Sequence, residues 1–370
     1  MVLDSEFIVR LLYTIVVAAG ISCAITPLVK RLAKKVGAMD IPKDHRRMHH
    51  KPIPRMGGLS IFLAFLISFL IFGEMDRGLR GILLGATVIV ILGITDDIKT
   101  LRALPKFGIQ ILAAVLVVIH GCRIEQFLGW ELPVWFSCIA TVIWIVMITN
   151  AVNFIDGLDG LAAGVSAISA GTMLIVALML VPEHNATLSA LVLAAILGGC
   201  IGFIPYNFNP ASIFMGDTGS TFLGFMLATV SVTGLFKLYA VISFIVPFLI
   251  LGLPIFDTGF AIIRRLLKGQ SPLQADRGHV HHRLIDLGFD QKQSVAILYA
   301  FSALMGLTAV ILARTNESKL IFLALAVLVC FFLAMTLMSV EKRRSKETQA
   351  MLEKMQQSAN DEQKQEDNPS

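Results

Sequence analysis

Two adjacent aspartates, Asp96 and Asp97, end an apolar stretch of the sequence at GITDDIK. Successive side chains on a helix point about 100° apart, so the two carboxylates can serve different ligands, such as a divalent cation and a substrate. Lys106 follows shortly afterwards and supplies a positive charge for an anion. A solvated helix end also explains an isolated Asp-Asp pair, so the other acidic loops carry the argument.

Asp156 and Asp159 lie in the loop sequence NAVNFIDGLDGLAAG, which contains no lysine or arginine. If this turn is helical, both carboxylates share a face with Asn153. Acidic side chains at a membrane boundary that lack a local cation need a metal ion or a polar ligand. The alternative is a glycine-rich connection with solvated aspartate caps.

A third acidic loop, NFNPASIFMGDTGS, contains Asn207, Phe214 and Asp217 and directly precedes an apolar helix. The free N–H groups and positive dipole end of a helix N-terminus can receive phosphate, and Asp217 could hold Mg²⁺ against it. Phe214 is a candidate platform for stacking a base. Helix capping and ordinary packing are the alternatives for this loop.

The sequence DRGHVHHRL collects cationic and hydrogen-bonding side chains at Arg277, His279, His281, His282 and Arg283. Three histidines so close together could indicate zinc, but no cysteine accompanies them. Their arginine neighbours favour an anion pocket suited to a diphosphate. Nonspecific attraction to anionic lipid is the competing explanation.

Lys51 and Arg55 stand in the sequence HHKPIPRMGG directly before an apolar segment, so they are expected at the depth of a lipid phosphate if that segment spans a membrane. Topological positive charge explains part of this basic loop without any further function. Asp257 follows Pro254 in an apolar segment and lies about 10 Å along a helix from Arg264. It can therefore reach the same site, or it can bond to a neighbouring helix.

Composition identifies the elements that must position these residues. Hydrophobic residues make up 56% of the chain, charged residues make up 15%, and the mean hydropathy is +0.76, values that indicate a membrane protein. A transmembrane helix needs about 20 mostly apolar residues. Eleven apolar segments can be drawn, several of them shorter than this length: 7–29, 57–73, 80–95, 107–120, 134–152, 161–181, 187–205, 221–236, 239–262, 295–313 and 320–340.

The charge distribution predicts the orientation of these segments. Most of the 31 lysines and arginines fall in the connections 30–56, 96–106 and 263–294 and in the tail after 340. The positive-inside rule therefore predicts an outside N-terminus, a cytoplasmic C-terminus and an active site on cytoplasmic loops. A transporter would place its ionisable residues near the bilayer midplane instead. The same distribution argues against nucleic-acid binding.

Two regions are expected in the chain. Residues 1–340 are predicted to form a single all-α transmembrane domain, because only helices or closed barrels satisfy their backbone in lipid. Residues 341–370 are polar and mixed in charge, which predicts a disordered cytoplasmic tail.

Taken together, the four motifs TDDIKTLRALPKFGIQ, NAVNFIDGLDGLAAG, FNPASIFMGDTGS and DRGHVHHRL identify a resemblance. The chain resembles the polyprenyl-phosphate N-acetylhexosamine-1-phosphate transferases, in the superfamily that also contains the MraY translocase. The resemblance implies a Mg²⁺-dependent phosphoglycosyl transferase, with Mn²⁺ as a substitute. It implies transfer of N-acetylglucosamine 1-phosphate from UDP-GlcNAc to undecaprenyl phosphate in the bacterial cytoplasmic membrane, as the first membrane step of an envelope polymer such as teichoic acid or O-antigen.

Motifs and resemblance together assign roles to individual residues. Catalytic roles are expected for Asp96, Asp97, Asp156, Asp159 and His279. Metal ligation is expected for Asp217 and Asp97. Substrate binding is expected for Lys51, Arg55, Lys106, Asn153, Asn207, Phe214, Arg277, His281, His282 and Arg283. The translocase has three consecutive histidines where this chain has HVHH, a departure that favours UDP-GlcNAc over UDP-MurNAc-pentapeptide.

Several alternatives stay open at the level of sequence. Another UDP-sugar, such as UDP-GalNAc, would need the same motifs, and a homodimer is one assembly that the chain could form. Lipid phosphate, which is largely dianionic at pH 7, could attack the β-phosphorus directly while Asp96 orients it. A covalent aspartyl-phosphate is the rival mechanism.

Overall fold

A computed structural model describes residues 5–42, 51–127, 130–180, 184–234, 240–267, 269, 279–314, 326–327, 329–330, 347–353 and 355–356. The chain divides into two compact units, Met1–Glu317 and Ser318–Ser370. Arg277 and most of the predicted segment 320–340 and tail 341–370 lie outside the described residues. Within that tail, residues 347–353 and 355–356 are helical.

The first unit is built almost entirely from helices. They are α1 (Ser5–Val36), α2 (Gly58–Phe72), α3 (Arg77–Lys99), α4 (Ala103–Ile119), α5 (Val134–Phe154), α6 (Leu161–Leu180), α7 (His184–Asn207), α8 (Gly216–Gly234), α9 (Ala240–Ile250), α10 (Gly252–Leu267), α11 (Val280–Asp286) and α12 (Gln291–Arg314). Two short antiparallel pairs join β1 (Met39–Asp40) to β2 (Ile53–Pro54) and β3 (Gln126–Phe127) to β4 (Trp130–Glu131).

Six of these helices are long and apolar enough to cross a membrane: Ser5–Val36, Arg77–Lys99, Val134–Phe154, Leu161–Met179, Ala186–Asn207 and Gln291–Arg314. The helices α2 and α4 are apolar but shorter. The prediction of a helical, polytopic membrane protein is confirmed. The count of eleven spans and the orientation stay predictions.

The predicted segment 239–262 is two helices rather than one, since α9 ends at Ile250 and α10 begins at Gly252. Pro254 lies in the first turn of α10, where its missing N–H has no intrahelical acceptor to lose. The short helix α11 was also not predicted, because seven residues carry too little periodicity to reveal a helix.

Helix α8 is the central helix of the site, and it packs against α3 and α5. Every residue from Thr218 to Val232 is buried, including Phe222 and Phe225. A helix that is apolar on all sides belongs in the interior of a bundle. The amino end of α8 therefore emerges among the ends of other helices rather than at the lipid-facing surface.

Candidate active site

The first turn of α8 is held at backbone distance from α2 and α3. A Cβ atom added at Gly58 would lie 1.9 Å from the Cα of Gly219, and one added at Gly93 would lie 2.4 Å from the Cα of Thr218. Both distances are far below van der Waals contact, so a side chain fits at neither glycine. This close packing places Asp96 and Asp97, near the end of α3, beside the first turn of α8.

A short extended segment after β2 runs beside the chain that leads into α8. Phe214 donates its backbone N–H to the Pro54 carbonyl at 2.8 Å, and Gly57 donates to the Phe214 carbonyl at 2.9 Å. This pairing carries Arg55 to the end of α3. The Arg55 Nε donates there to Asp97 Oδ1 at 3.0 Å.

Asp97 uses both carboxylate oxygens on the amino end of α8. Oδ1 accepts the backbone N–H of Asp217 at 3.0 Å, and Oδ2 accepts the backbone N–H and the hydroxyl of Thr218 at 3.1 and 2.6 Å. The side chain of Asp97 has no exposed surface. The sequence suggested that these two N–H groups bind a phosphate. In the structure they donate to the carboxylate of Asp97 instead.

Asp96 is oriented differently from its neighbour and contacts Lys106. The Lys106 Nζ donates to Asp96 Oδ2 at 2.9 Å and also to Asp217 Oδ2, while Asp96 Oδ1 accepts the Leu101 N–H at 2.6 Å. Asn153 donates to the same Asp217 oxygen at 3.4 Å. Lys106 thus bridges carboxylates of two helices, and Asp217 receives donors from α4 and α5.

The loop between α5 and α6 is tied to the loop between α7 and α8. Asp159 Oδ2 accepts hydrogen bonds from the Asn209 side chain at 2.9 Å and the Ala211 N–H at 3.0 Å. Asn207 accepts the Gly160 N–H at 3.1 Å and donates to the loop that precedes α8. Asp159 and Asn207 therefore hold the two loops together.

The face that the sequence suggested for Asn153, Asp156 and Asp159 does not form, because residues 155–160 adopt turns instead of a helix. Asn153 faces Asp217, while Asp159 faces the loop after α7. Asp156 is half-buried and lines a cavity.

This cavity, of about 910 Å³, opens where these loops meet. Eight of the predicted site residues line it: Lys51, Arg55, Asp156, Asp159, Asn207, Phe214, Asp217 and His282. The remaining described candidates lie outside its lining: Asp96, Asp97, Lys106, Asn153, His279, His281 and Arg283. The cavity wall therefore carries acidic side chains of the α5–α6 loop and of the first turn of α8 together with basic side chains of the connection between α1 and α2, an arrangement suited to a metal-bound phosphate.

The histidine cluster begins with a buried contact to α10. Asp257 Oδ2 bonds to His279 Nδ1 at 2.7 Å, and Asp257 Oδ1 accepts the Val280 N–H at 2.7 Å. His281 packs against Gly157, where an added Cβ would lie 2.2 Å from its Nε2. Burial lowers the pKa of His281 to about 3, so this ring is neutral. The histidine cluster therefore contacts the loop that carries Asp156.

Comparisons with known proteins identify relatives of this chain by sequence. A protein of Bacillus subtilis (strain 168) named probable undecaprenyl-phosphate N-acetylglucosaminyl 1-phosphate transferase is 40% identical over 341 residues, which cover 90% of this chain and 92% of that protein. A family model described as glycosyl transferase family 4 matches residues 79–235. The chain belongs to glycosyl transferase family 4.

Further relatives carry related names. A Thermotoga maritima protein named undecaprenyl-phosphate alpha-N-acetylglucosaminyl 1-phosphate transferase is 30% identical, over 86% of this chain and 94% of its own length. A Mycolicibacterium smegmatis protein named decaprenyl-phosphate N-acetylglucosaminephosphotransferase is 31% identical, over 79% of each chain. The names of these family 4 relatives agree on the transferred group and differ in the polyprenyl chain.

Two carboxylates on the cavity wall, those of Asp156 and Asp217, are the candidate ligands for a divalent cation. Burial, followed by the like charges of Asp217 and Asp97, raises the pKa of Asp156 to about 8, so a cation beside it would relieve repulsion. Among the described residues, no three acidic, histidine or cysteine side chains group as ligands. Mg²⁺ is commonly bound by one or two protein carboxylates plus substrate phosphates, and Asp156 and Asp217 would be the protein carboxylates of such a site.

Several residues of this site were missed by sequence reasoning. Thr218 and Asn209 belong to the motif around Asp217. Their hydrogen bonds join segments far apart in the chain, so the sequence does not reveal them. Lys30 and Lys34 line the cavity from the end of α1. Their spacing of one helical turn beside a basic loop could have identified them, because such a pair lies on one helix face.

Proposed function

We propose that this protein transfers N-acetylglucosamine 1-phosphate from UDP-GlcNAc to undecaprenyl phosphate and releases UMP. The observation that carries this proposal is the 40% identity, over 90% of the chain, to a relative named for this transfer. The product would be the lipid-linked sugar that begins a cell-envelope polymer. Decaprenyl phosphate would be recognised by the same headgroup chemistry.

The reaction belongs at the cytoplasmic face of a bacterial plasma membrane, crossed by eleven spans with the N-terminus outside. Support comes from the basic residues at the cavity end, including Lys30, Lys34, Lys51 and Arg55. Lys and Arg favour the cytoplasmic side of short membrane connections. A nucleotide sugar would reach the cavity from the cytoplasm, and the lipid would reach it from the inner leaflet.

In the proposed reaction, an oxygen of the lipid phosphate attacks the β-phosphorus of the nucleotide sugar. A bond forms between that oxygen and phosphorus, and the bond to the UMP oxygen breaks with its electron pair leaving on UMP. The acceptor is largely dianionic at neutral pH and needs no general base. Arg55, Lys51 and His282 on the cavity wall would position the phosphates and offset their charge.

A magnesium ion, or manganese in its place, would supply further charge neutralisation at the transferred phosphoryl group. Asp217 and Asp156 are the residues proposed to hold it. Lys106 would offset part of the negative charge of Asp217. Its hydrogen bond to Asp96 would hold the lysine side chain in place. Phe214 on the cavity wall is the proposed stacking surface for uracil.

The test supplies membranes containing the protein with undecaprenyl phosphate, Mg²⁺ and a panel of UDP-sugars, and it measures UMP release. We expect release with UDP-GlcNAc, loss of release in Asp217→Asn, and full release in Glu74→Gln. Glu74 is the matched control because its carboxylate is 72% exposed and pairs with Arg10, away from the cavity. Release with UDP-GalNAc instead would change the sugar assignment, and equal activity of Asp217→Asn would overturn the site.

Direct attack makes a separate prediction about isotope exchange. Radiolabelled UMP should not exchange into UDP-GlcNAc unless the lipid acceptor is present, since no intermediate forms on the protein. Exchange in the absence of acceptor would require the covalent aspartyl-phosphate route instead.

A further inference from the structure

Helix α8 lacks a capping side chain of its own at its amino end. The residue before the helix is Met215, whose thioether cannot replace the oxygen that Ser, Thr, Asp or Asn would offer to the first free N–H groups. Asp97 of α3 supplies that oxygen from another helix, with contacts to the Asp217 and Thr218 amides and to the Thr218 hydroxyl. Gly216 leaves room for it, since a Cβ there would lie 2.5 Å from Asp97 Oδ2.

The bonding capacity of Asp97 is fully used by this arrangement. An ionised carboxylate offers about four lone-pair sites, and Asp97 accepts four hydrogen bonds, the fourth from Arg55. Its side chain has no exposed surface and does not line the cavity. A substrate or a metal ion could bind Asp97 only by displacing one of these donors.

We propose that Asp97 is a positioning residue that fixes the first turn of α8, and that it aims Asp217 at the cavity without touching substrate or metal. This inference rests on the proposed function and changes the role that the sequence suggested for Asp97. Its negative charge also suits the positive end of the α8 dipole. Asp217 is the residue after the helix start, so rotation of this turn would carry its carboxylate away from Lys106 and the cavity.

The proposal predicts that Thr218 and Asp97 act as one unit, which Thr218→Val tests without altering any carboxylate. We expect kcat to fall about tenfold in Thr218→Val, the scale of one hydrogen bond to a charged group, and further in Asp97→Asn. The double variant should lose little more than Asp97→Asn alone. Thr218→Ser, which keeps the hydroxyl, should restore activity. The matched control is Thr229→Val, because Thr229 is also buried in α8 and bonds only within the helix.

Hydrogen exchange of the α8 amides supplies a readout that does not depend on turnover. In purified protein without substrate, peptides covering residues 215–221 should exchange faster in Asp97→Asn and in Thr218→Val, while the wild type and Thr229→Val should agree. The apparent KM for Mg²⁺ should rise in both cap variants, an effect that general destabilisation measured by Tm would not explain.

Two outcomes would overturn this role for Asp97. In one, Asp97→Asn abolishes turnover while exchange over residues 215–221 is unchanged. In the other, Thr218→Val keeps both full activity and normal exchange, a result that stands even if Asp97→Asn does not fold. If the wild type releases no UMP from any UDP-sugar, the proposed function fails, while the exchange experiment still decides the capping contact.

Discussion

The helices α8 and α11 both begin at the cavity end, and an aspartate from another helix holds the first turn of each. Asp97 of α3 accepts amides of α8 and the Thr218 hydroxyl. Asp257 of α10 accepts the first amide of α11 and contacts His279. The same kind of cap therefore positions a carboxylate at the start of α8 and the His279 imidazole directly before α11.

The two helix starts differ in what else fixes them. The backbone of α8 packs directly against Gly58 and Gly93, which are backbone positions of two other helices. By contrast, α11 meets the neighbouring loop through the His281 side chain against Gly157. Backbone contacts cannot shift independently, whereas a side chain can turn. We therefore expect α8 to tolerate less change than α11.

The largest effect is expected from Gly93→Ala. The new Cβ would meet the backbone of Thr218 at 2.4 Å, so α3 and α8 must separate. Overpacking of this kind costs about 1–3 kcal/mol of stability. We expect a lower Tm and a loss of UMP release of at least 100-fold. Gly20→Ala is the control, because a Cβ on Gly20 meets nothing within 4 Å. Normal activity of Gly93→Ala would show that α8 can shift freely.

Asp257→Asn tests the contact that holds the start of α11. The amide oxygen can still accept the Val280 N–H, but its neutral group bonds His279 less strongly than a carboxylate does. We expect kcat/KM to fall about tenfold, the equivalent of one charge-assisted hydrogen bond. The loss should be smaller than that of Asp97→Asn when the two are assayed side by side. A larger loss in Asp257→Asn would reverse the ranking of the two helix starts.

The residues that form these two caps could be picked out from the sequence, but their bonding partners could not. The DD pair and the DRGHVHHRL cluster stood out because each places several ionisable side chains within a few residues of one another. The partners of Asp97 and Asp257 did not, since each bond joins residues far apart in sequence. Hydropathy placed the start of the eighth segment at residue 221, whereas α8 begins at Gly216. The extra turn depends on a cap from α3 that no local pattern encodes.

The span pattern was easier to predict than the loops. Long apolar helices such as α5 and α7 follow from composition alone, because lipid requires every backbone group to be bonded within the helix. The turn at residues 155–160 does not, because its sequence allowed both a helical turn and a glycine-rich connection, and the structure has turns there. Asp159 forms its hydrogen bonds with Asn209 and Ala211, and these tertiary contacts determine the local conformation.

Gly157→Ala sharpens the contrast between backbone and side-chain contacts. Its Cβ would lie 2.2 Å from His281 Nε2, which is shorter than the 2.4 Å at Gly93, but the atom it meets belongs to an imidazole. We expect the ring to move and UMP release to fall only a few-fold, in keeping with a rotamer change. The comparison with Gly93→Ala uses the same assay and the same substitution. Equal losses in the two variants would contradict the distinction.

Asp156 links the two helix starts, and its effect is expected in stability rather than in turnover. Asp217 of α8 repels its carboxylate, and His281 of α11 packs on the adjacent Gly157. The pKa of Asp156 is raised to about 8 in the folded protein from an ordinary value of 3.8. The folded state therefore holds a proton that the unfolded chain releases, so Asp156 lowers stability progressively as pH rises from 4 to 8.

Asp156→Asn removes this penalty, because an amide mimics the protonated acid. In detergent without divalent cations, the Tm of the variant should equal that of wild type near pH 4 and exceed it increasingly up to pH 8. Because Asp156 is only half-buried, we expect a gain of about 1–2 kcal/mol, well below the full shift. Adding Mg²⁺ should stabilise wild type more than the variant, since the ion would replace the proton. A Tm difference that is constant with pH would mean that Asp156 is ionised throughout, and that α8 does not bring Asp217 close enough to matter.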